Sequence, residues 1–204
     1  MATMRINELF EQPGKTVAVT FGRMNPPTIG HQKLVNTVLK QKADAHFLFV
    51  SQTHKATGKN QTRLSNPLPF DIKLNFVQKA FPNISIGDTS VKTVIEMMKL
   101  LETQGFNNVI HVCGQDRVPE FEQLLNQQNG IDYNFDSIKI ISSGERDPDA
   151  EGAEGMSASK MRQAAIDNNF ESFKSGLPQN LQGSSKELFS ILRKYLEPWI
   201  ESQE

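Results

Sequence analysis

A single cysteine, Cys113, among 204 residues leaves no partner for an internal disulfide and no thiolate cage for zinc. A reducing, cytoplasmic setting is expected. Long apolar runs are missing too: Phe47-Leu48-Phe49-Val50 falls far short of the ~18–20 residues that span a bilayer. No apolar stretch of the signal-peptide kind follows residues 1–5. No membrane partner is expected. Neither sign of charge dominates: 22 Lys and Arg face 23 Asp and Glu, a formal net charge of -1. Such a balance gives no overall attraction to nucleic acid, so a small anionic ligand on a local basic patch is the easier partner. His46, His54 and His111 lack metal-ligand spacing, and no protein-built metal site is expected. There is no internal repeat and no low-complexity tract.

What remains fits one α/β domain, since domains commonly run ~100–150 residues and α/β domains longer. Thr16-Val17-Ala18-Val19-Thr20-Phe21 reads as a strand ending at Gly22, and from Gly30 the residues Leu34, Val35, Val38 and Leu39 share a helical face. The cycle repeats. A second strand is predicted at His46 to Val50 and a helix through Phe70, Leu74, Val77 and Phe81. The third strand, Ile84-Ser85-Ile86, precedes a helix carrying Val91, Val94, Ile95, Met98 and Leu101. The fourth, Val109 to Cys113, precedes one with Phe121, Leu124 and Leu125. The fifth covers Ser137 to Ile141. Two helices follow, at Ala158 to Asn168 and Ser185 to Ile200; the last turns Leu188, Ile191, Leu192, Tyr195 and Leu196 inward, onto the sheet or onto a second copy in a homo-oligomer.

Alternating strands and helices pack as a doubly wound, mainly parallel five-stranded sheet, here with C-terminal helices. Ligands of such sheets bind beyond the carboxyl ends of the strands. That rule gathers Gly22 to His31, Ser51 to Lys55, Gly114 to Arg117 and Ser142 to Arg162 at one rim. The acidic loop from Glu145 to Gly155, rich in Gly and charge, is expected to be mobile without ligand and to close over one.

Two segments carry chemistry. Gly22-Arg23-Met24-Asn25-Pro26-Pro27-Thr28-Ile29-Gly30-His31 leaves a strand and enters a helix, whose first amides and roughly half an elementary charge suit phosphate. Thr28 and His31 lie one turn apart, so a hydroxyl and an imidazole can face one phosphoryl group; Thr28 equally suits an ordinary N-cap. Met156-Ser157-Ala158-Ser159-Lys160-Met161-Arg162 opens a second helix, bringing hydroxyls, amides and a guanidinium together, as a triphosphate requires. Lys55 reads as a solvated cation, Asp71 as a first-turn charge beside Lys73, and Cys113 as a core residue. Asp147, Asp149, Glu151 and Glu154 read as a solvated face, with a magnesium contact as the alternative.

Gly-x-x-x-Pro-x-Thr-x-Gly-His followed by Met-Ser-x-Ser-x-x-Arg resembles the nucleotidyltransferase superfamily with the His-x-Gly-His signature. That group includes nicotinamide-mononucleotide adenylyltransferases and CTP-dependent cytidylyltransferases. Asn66-Pro67-Leu68-Pro69-Phe70-Asp71 and Gly144 to Asp149 also look like phage-encoded cytidyltransferase-like proteins. The resemblance covers about residues 16–175 and implies a nucleotidyltransferase domain over 16–180, preceded by a segment 1–15 and followed by a C-terminal helix in 181–204. It implies Thr28, His31 and Arg162 as catalytic residues, His31 at the transition state. It implies nucleotide contacts from Gly22, Arg23, Met24, Gly30, Gly114, Asp116, Arg117, Ser157 and Ser159. The reaction implied is transfer of a nucleoside monophosphate from ATP, or from CTP, to a small phosphorylated acceptor, with Mg2+ as cofactor and pyrophosphate as product. A class I aminoacyl-tRNA synthetase, which carries similar motifs, is disfavoured by the short chain and the lack of a basic face. A nucleotide-binding protein that has lost turnover is the rival of another class.

Overall fold

The computed structural model describes residues 14–52, 63–144 and 157–201. Lys55, His54, Met156 and the acidic loop from Glu145 to Gly155 lie outside the described residues. Five strands form one sheet: β1 (Thr16–Gly22), β2 (Ala45–Val50), β3 (Ser85–Ile86), β4 (Asn108–Cys113) and β5 (Ser137–Ser142). Every pairing is parallel and the order is β3-β2-β1-β4-β5. The chain therefore winds outward from β1 to β3, then returns to the centre and winds the other way.

Helices cover both faces. On one face α1 (Ile29–Leu39), α2 (Phe70–Ala80), α5 (Ala158–Ile166), α6 (Phe170–Ser175) and α7 (Ser185–Ile200) enclose Ala18, Leu48, Val50 and Val112. On the other, α3 (Val94–Thr103) and α4 (Val118–Gln128) pack Met97, Met98, Leu101, Phe121 and Leu125 against Val17, Val19, Phe49 and Val109. Strands buried on both faces explain the near-continuous apolar runs in β1, β2 and β4. Leu188, Leu192 and Leu196 of α7 are wholly buried in the same core as β1 and β2. Each contributes about 1.5–3 kcal/mol relative to exposure, so the last helix is part of this packing unit. Among the described residues no helix is long and apolar enough to cross a membrane.

Some boundaries differ from those expected. Val91 is buried but precedes α3, because Thr93 caps that helix and Glu96 completes a capping box. The helix beginning at Ala158 ends at Ile166, where Asn168 turns to a φ of 55°. The short α6 and the 3-10 turn Gln179–Ser184 had no signal, being too short to show a period.

β1 pairs with β2 as far as Gly22↔Val50, and β4 with β5 as far as Cys113↔Ser142. Between β1 and β4 the pairing stops at Val19↔His111. The two central strands thus part beyond Val19, opening a crevice at their carboxyl ends where the winding reverses. This is the place where ligands of open parallel sheets bind.

Candidate functional site

The segment leaving β1 is buried from Met24 to Thr28. Met24 takes a φ of 50° and the Asn25-Pro26 bond is cis. Asn25, only 2% exposed, ties the loop to its neighbours: its amide donates to the Asn66 side chain and to the Leu68 carbonyl (3.1 Å), and its Oδ1 accepts from the Leu68 amide (3.2 Å). The segment then enters α1 through Thr28, whose hydroxyl accepts from the His31 amide at 3.3 Å. The Ile29 amide donates to the Gly176 carbonyl at 2.9 Å. The Gly30 amide has no partner among the described residues, and a Cβ at Gly30 would meet only Thr28 Oγ1, at 3.5 Å. The start of α1 therefore presents an N–H with little above it.

α5 supplies the facing wall. Ser157 caps it, accepting from the Lys160 amide at 3.1 Å. Arg162, one turn on, is 8% exposed; its Nη1 donates to the Asn25 carbonyl at 2.7 Å and its Nη2 to Ser159 Oγ at 2.9 Å, while Nε has no partner among the described residues. Between α1 and α5 lies a cavity of about 500 Å³, its open mouth included, lined by Arg23, Met24, Asn25, His31, Ser65, Ser157, Ala158, Ser159 and Arg162. A second cavity shares the wall of Ser65, Ser159 and Arg162 and continues over Leu64 and Gln163.

The potential here is positive. Arg23 is exposed at the cavity, while Lys73 of α2 is wholly buried, its Nζ donating to the Ser51 carbonyl at the end of β2. Burial, and after it the Arg23 charge, lower Lys73 from 10.5 to about 8 and Arg162 from its ordinary value to about 10. Among the described residues, none of these three cations forms a salt bridge. Two helix starts, the lining cations Arg23 and Arg162 and the nearby Lys73, with no carboxylate among the described lining residues, make a site whose chemistry suits a polyanion.

The structure brings Arg23, His31, Ser157, Ser159 and Arg162 together at this cavity, with Gly30 beside it. Thr28 is placed differently from the expected approach to phosphate: it is 2% exposed, absent from the lining, and bonded to His31. Met24 borders the cavity but is wholly buried, and a Cβ on Gly22 would lie 3.1 Å from its Cε, so both shape the turn. Gly114, Asp116 and Arg117 stand at the end of β4, outside that lining. Arg117 there pairs with Glu120 at 2.8 Å and lies over the Phe121 ring, and a Cβ at Gly114 would strike Asp116 Oδ1 at 2.7 Å. Cys113 is buried and its thiol is pushed up to about 11, chiefly by burial, which suits packing and not attack. Asn25, Ser65 and Lys73 were missed as site residues. Only Lys73 left a trace in the sequence, as a cation at the start of a helix near a strand end.

No family model matches the chain, and no curated protein matches it. Solved structures do. A protein of Vibrio parahaemolyticus assigned as a nicotinate-nucleotide adenylyltransferase aligns with a TM-score of 0.55 at 15% identity, over 87% of this chain and 98% of that one. The Plasmodium falciparum nicotinic acid mononucleotide adenylyltransferase aligns in its complex with NaAD (TM-score 0.55, 12% identity, 91% and 96% of the two chains). It aligns likewise in its complex with APC (0.53, 13%, 91% and 96%). At these identities the likeness shows a shared fold.

Proposed function

We propose that this chain is a nucleotidyltransferase that moves the adenylyl group of ATP to the phosphate of a small acceptor, a pyridine mononucleotide first among them. The observation carrying this reading is the cavity itself, where the starts of α1 and α5 converge with Arg23, His31 and Arg162 just beyond the carboxyl end of β1. Its fold neighbours include an adenylyltransferase in complex with NaAD, which agrees with such a product.

An acceptor phosphate oxygen attacks the α-phosphorus as the bond from that phosphorus to the bridging oxygen of the β-phosphate breaks, and pyrophosphate leaves. The acceptor is already ionised, so the protein need only hold two anions in line and meet the charge growing on the phosphoryl oxygens. Arg162 and the amides at the start of α5 hold the leaving pyrophosphate. Gly30 and His31 face the transferring group.

Asp147, Asp149, Glu151 and Glu154, the alternative magnesium contacts, lie outside the described residues. Among the described residues the cavity lining holds no carboxylate, and no group of three or more His, Cys, Asp or Glu is placed to bind a metal. A magnesium liganded by the triphosphate's own oxygens would supply charge neutralisation.

Pyrophosphate release, measured across ATP, CTP, GTP and UTP with and without pyridine mononucleotides, tests the reading. Acceptor-dependent release from ATP is expected. Release from CTP alone would make the chain a cytidylyltransferase, and none from any pair despite bound triphosphate would make it a non-catalytic nucleotide binder.

A further inference from the structure

The contact between Thr28 and His31 specifies where the imidazole carries its proton. The Thr28 backbone N–H donates to His31 Nδ1 at 3.0 Å. An N–H can only donate, so Nδ1 offers its lone pair in that bond, and the hydrogen of the neutral ring is then on Nε2. The Thr28 hydroxyl adds to this. Its oxygen accepts from the His31 amide at 3.3 Å and lies 3.0 Å from the same Nδ1, so its own hydrogen is the one left to point at the ring. Two donors thus converge on one nitrogen, within a residue that is 2% exposed.

We infer that Thr28 is a positioning residue that holds His31 in its neutral Nε2–H form, so that the imidazole serves the cavity as a hydrogen-bond donor and not as a base. The alternative tautomer sets Nδ1–H against Thr28 N–H and leaves a buried donor unpaired, which disfavours it by about tenfold or more. With Nδ1 engaged and Nε2 protonated, no lone pair of the ring faces an acceptor. The ring can instead donate to a non-bridging oxygen of the transferring phosphoryl group without any proton changing hands. The nature of that ligand rests on the adenylyltransferase reading; the tautomer does not.

Nitrogen NMR on the full chain tests the tautomer directly, with His31→Ala to assign the ring signals. A scalar coupling across the hydrogen bond between the Thr28 amide and Nδ1 is expected, with the ring proton on Nε2. A proton found on Nδ1 would overturn the inference even if the chain turns over. Substitution tests the role: a glutamine amide places a donor where Nε2 stood, an asparagine amide where Nδ1 stood. His31→Gln is expected to keep kcat within about tenfold of wild type, whereas His31→Asn and His31→Ala lose about a hundredfold or more with smaller changes in KM. Thr28→Val is expected to lower kcat about tenfold at nearly constant KM, and Thr28→Ser to restore it. A glutamine variant as inactive as the alanine variant would make His31 a base and sink the proposal. Should no substrate pair turn over in wild type, the adenylyltransferase reading fails and the NMR result alone decides this one.

Discussion

Arg162 and Asn25 are 137 positions apart in the chain, and the guanidinium of one donates to the backbone carbonyl of the other at 2.7 Å. That bond, with the second to Ser159 Oγ, fastens the start of α5 to the loop leaving β1. The two segments that line the cavity are thereby held at a fixed separation. Arg162 is therefore both a strut and a cation.

Arg162→Ala is expected to weaken triphosphate binding by about 1.5–3 kcal/mol, the range for hydrogen bonds to a charged group. Arg162→Lys restores the charge but not the fork, since one ammonium cannot reproduce the planar pair of donors. It is expected to recover less than half of that loss by calorimetry. Equal affinities in all three proteins would remove Arg162 from the site.

Gly30 separates fold from function. A Cβ there would meet no atom of the described chain closer than 3.5 Å, and Ala favours a helix over Gly by roughly 1 kcal/mol. Gly30→Ala should thus leave stability unchanged or slightly raised while lowering kcat/KM by about tenfold or more, because the methyl covers the amide that meets phosphate. Unchanged kcat/KM with ATP would show that the ligand does not approach this turn.

Lys73 is lowered from 10.5 to about 8 by burial first and by Arg23 second. The unfolded chain therefore holds the proton longer, and stability gains about 3 kcal/mol between pH 8 and 10.5 as the buried charge is released. Lys73→Met lacks that rise. At pH 7 the relieved desolvation roughly offsets the lost bond to the Ser51 carbonyl, so the variant's unfolding free energy should lie within about 1.5 kcal/mol of wild type. Triphosphate affinity is expected to fall on the order of tenfold, through loss of a nearby charge. Unaltered affinity would confine Lys73 to packing.

His111 sits wholly buried on β4, its ring 4.5 Å from that of Phe121 and neither nitrogen bonded among the described residues. Burial, and secondarily Arg117, lower it from 6.5 to about 4. Its neutral form is matched to the core above pH 6.5. As pH falls from 6.5 towards 4, stability drops by roughly 3 kcal/mol in all, because the unfolded chain takes up the proton first. Urea unfolding of His111→Leu should show a flatter acid limb over that interval. Parallel limbs for the two proteins would contradict the assignment.

The winding of the chain was legible in the sequence because strands buried on both faces read as short apolar runs, and each is followed by a helix with a clear period, as Val35 and Val38 show in α1. The cavity residues His31, Ser157, Ser159 and Arg162 were legible because a helix start that follows a strand end has one place to go in such a sheet. Lys73 and Asn25 were not. Their roles arise from bonds to Ser51, Leu68 and Arg162, long-range partners that no local pattern encodes. For Thr28 the sequence left a phosphate contact and an N-cap both open, because spacing does not say which way a hydroxyl turns; its oxygen caps α1.

The most direct measurement follows the α-phosphorus. Wild-type protein is incubated with MgATP labelled at that atom and with nicotinate or nicotinamide mononucleotide, and the products are separated. The expected result is label in a dinucleotide whose two phosphates are joined, equimolar unlabelled pyrophosphate, and no label transfer when the acceptor is omitted. Label remaining in ATP, despite calorimetric proof that both ligands are bound, or label appearing in ADP, would contradict adenylyl transfer at this cavity.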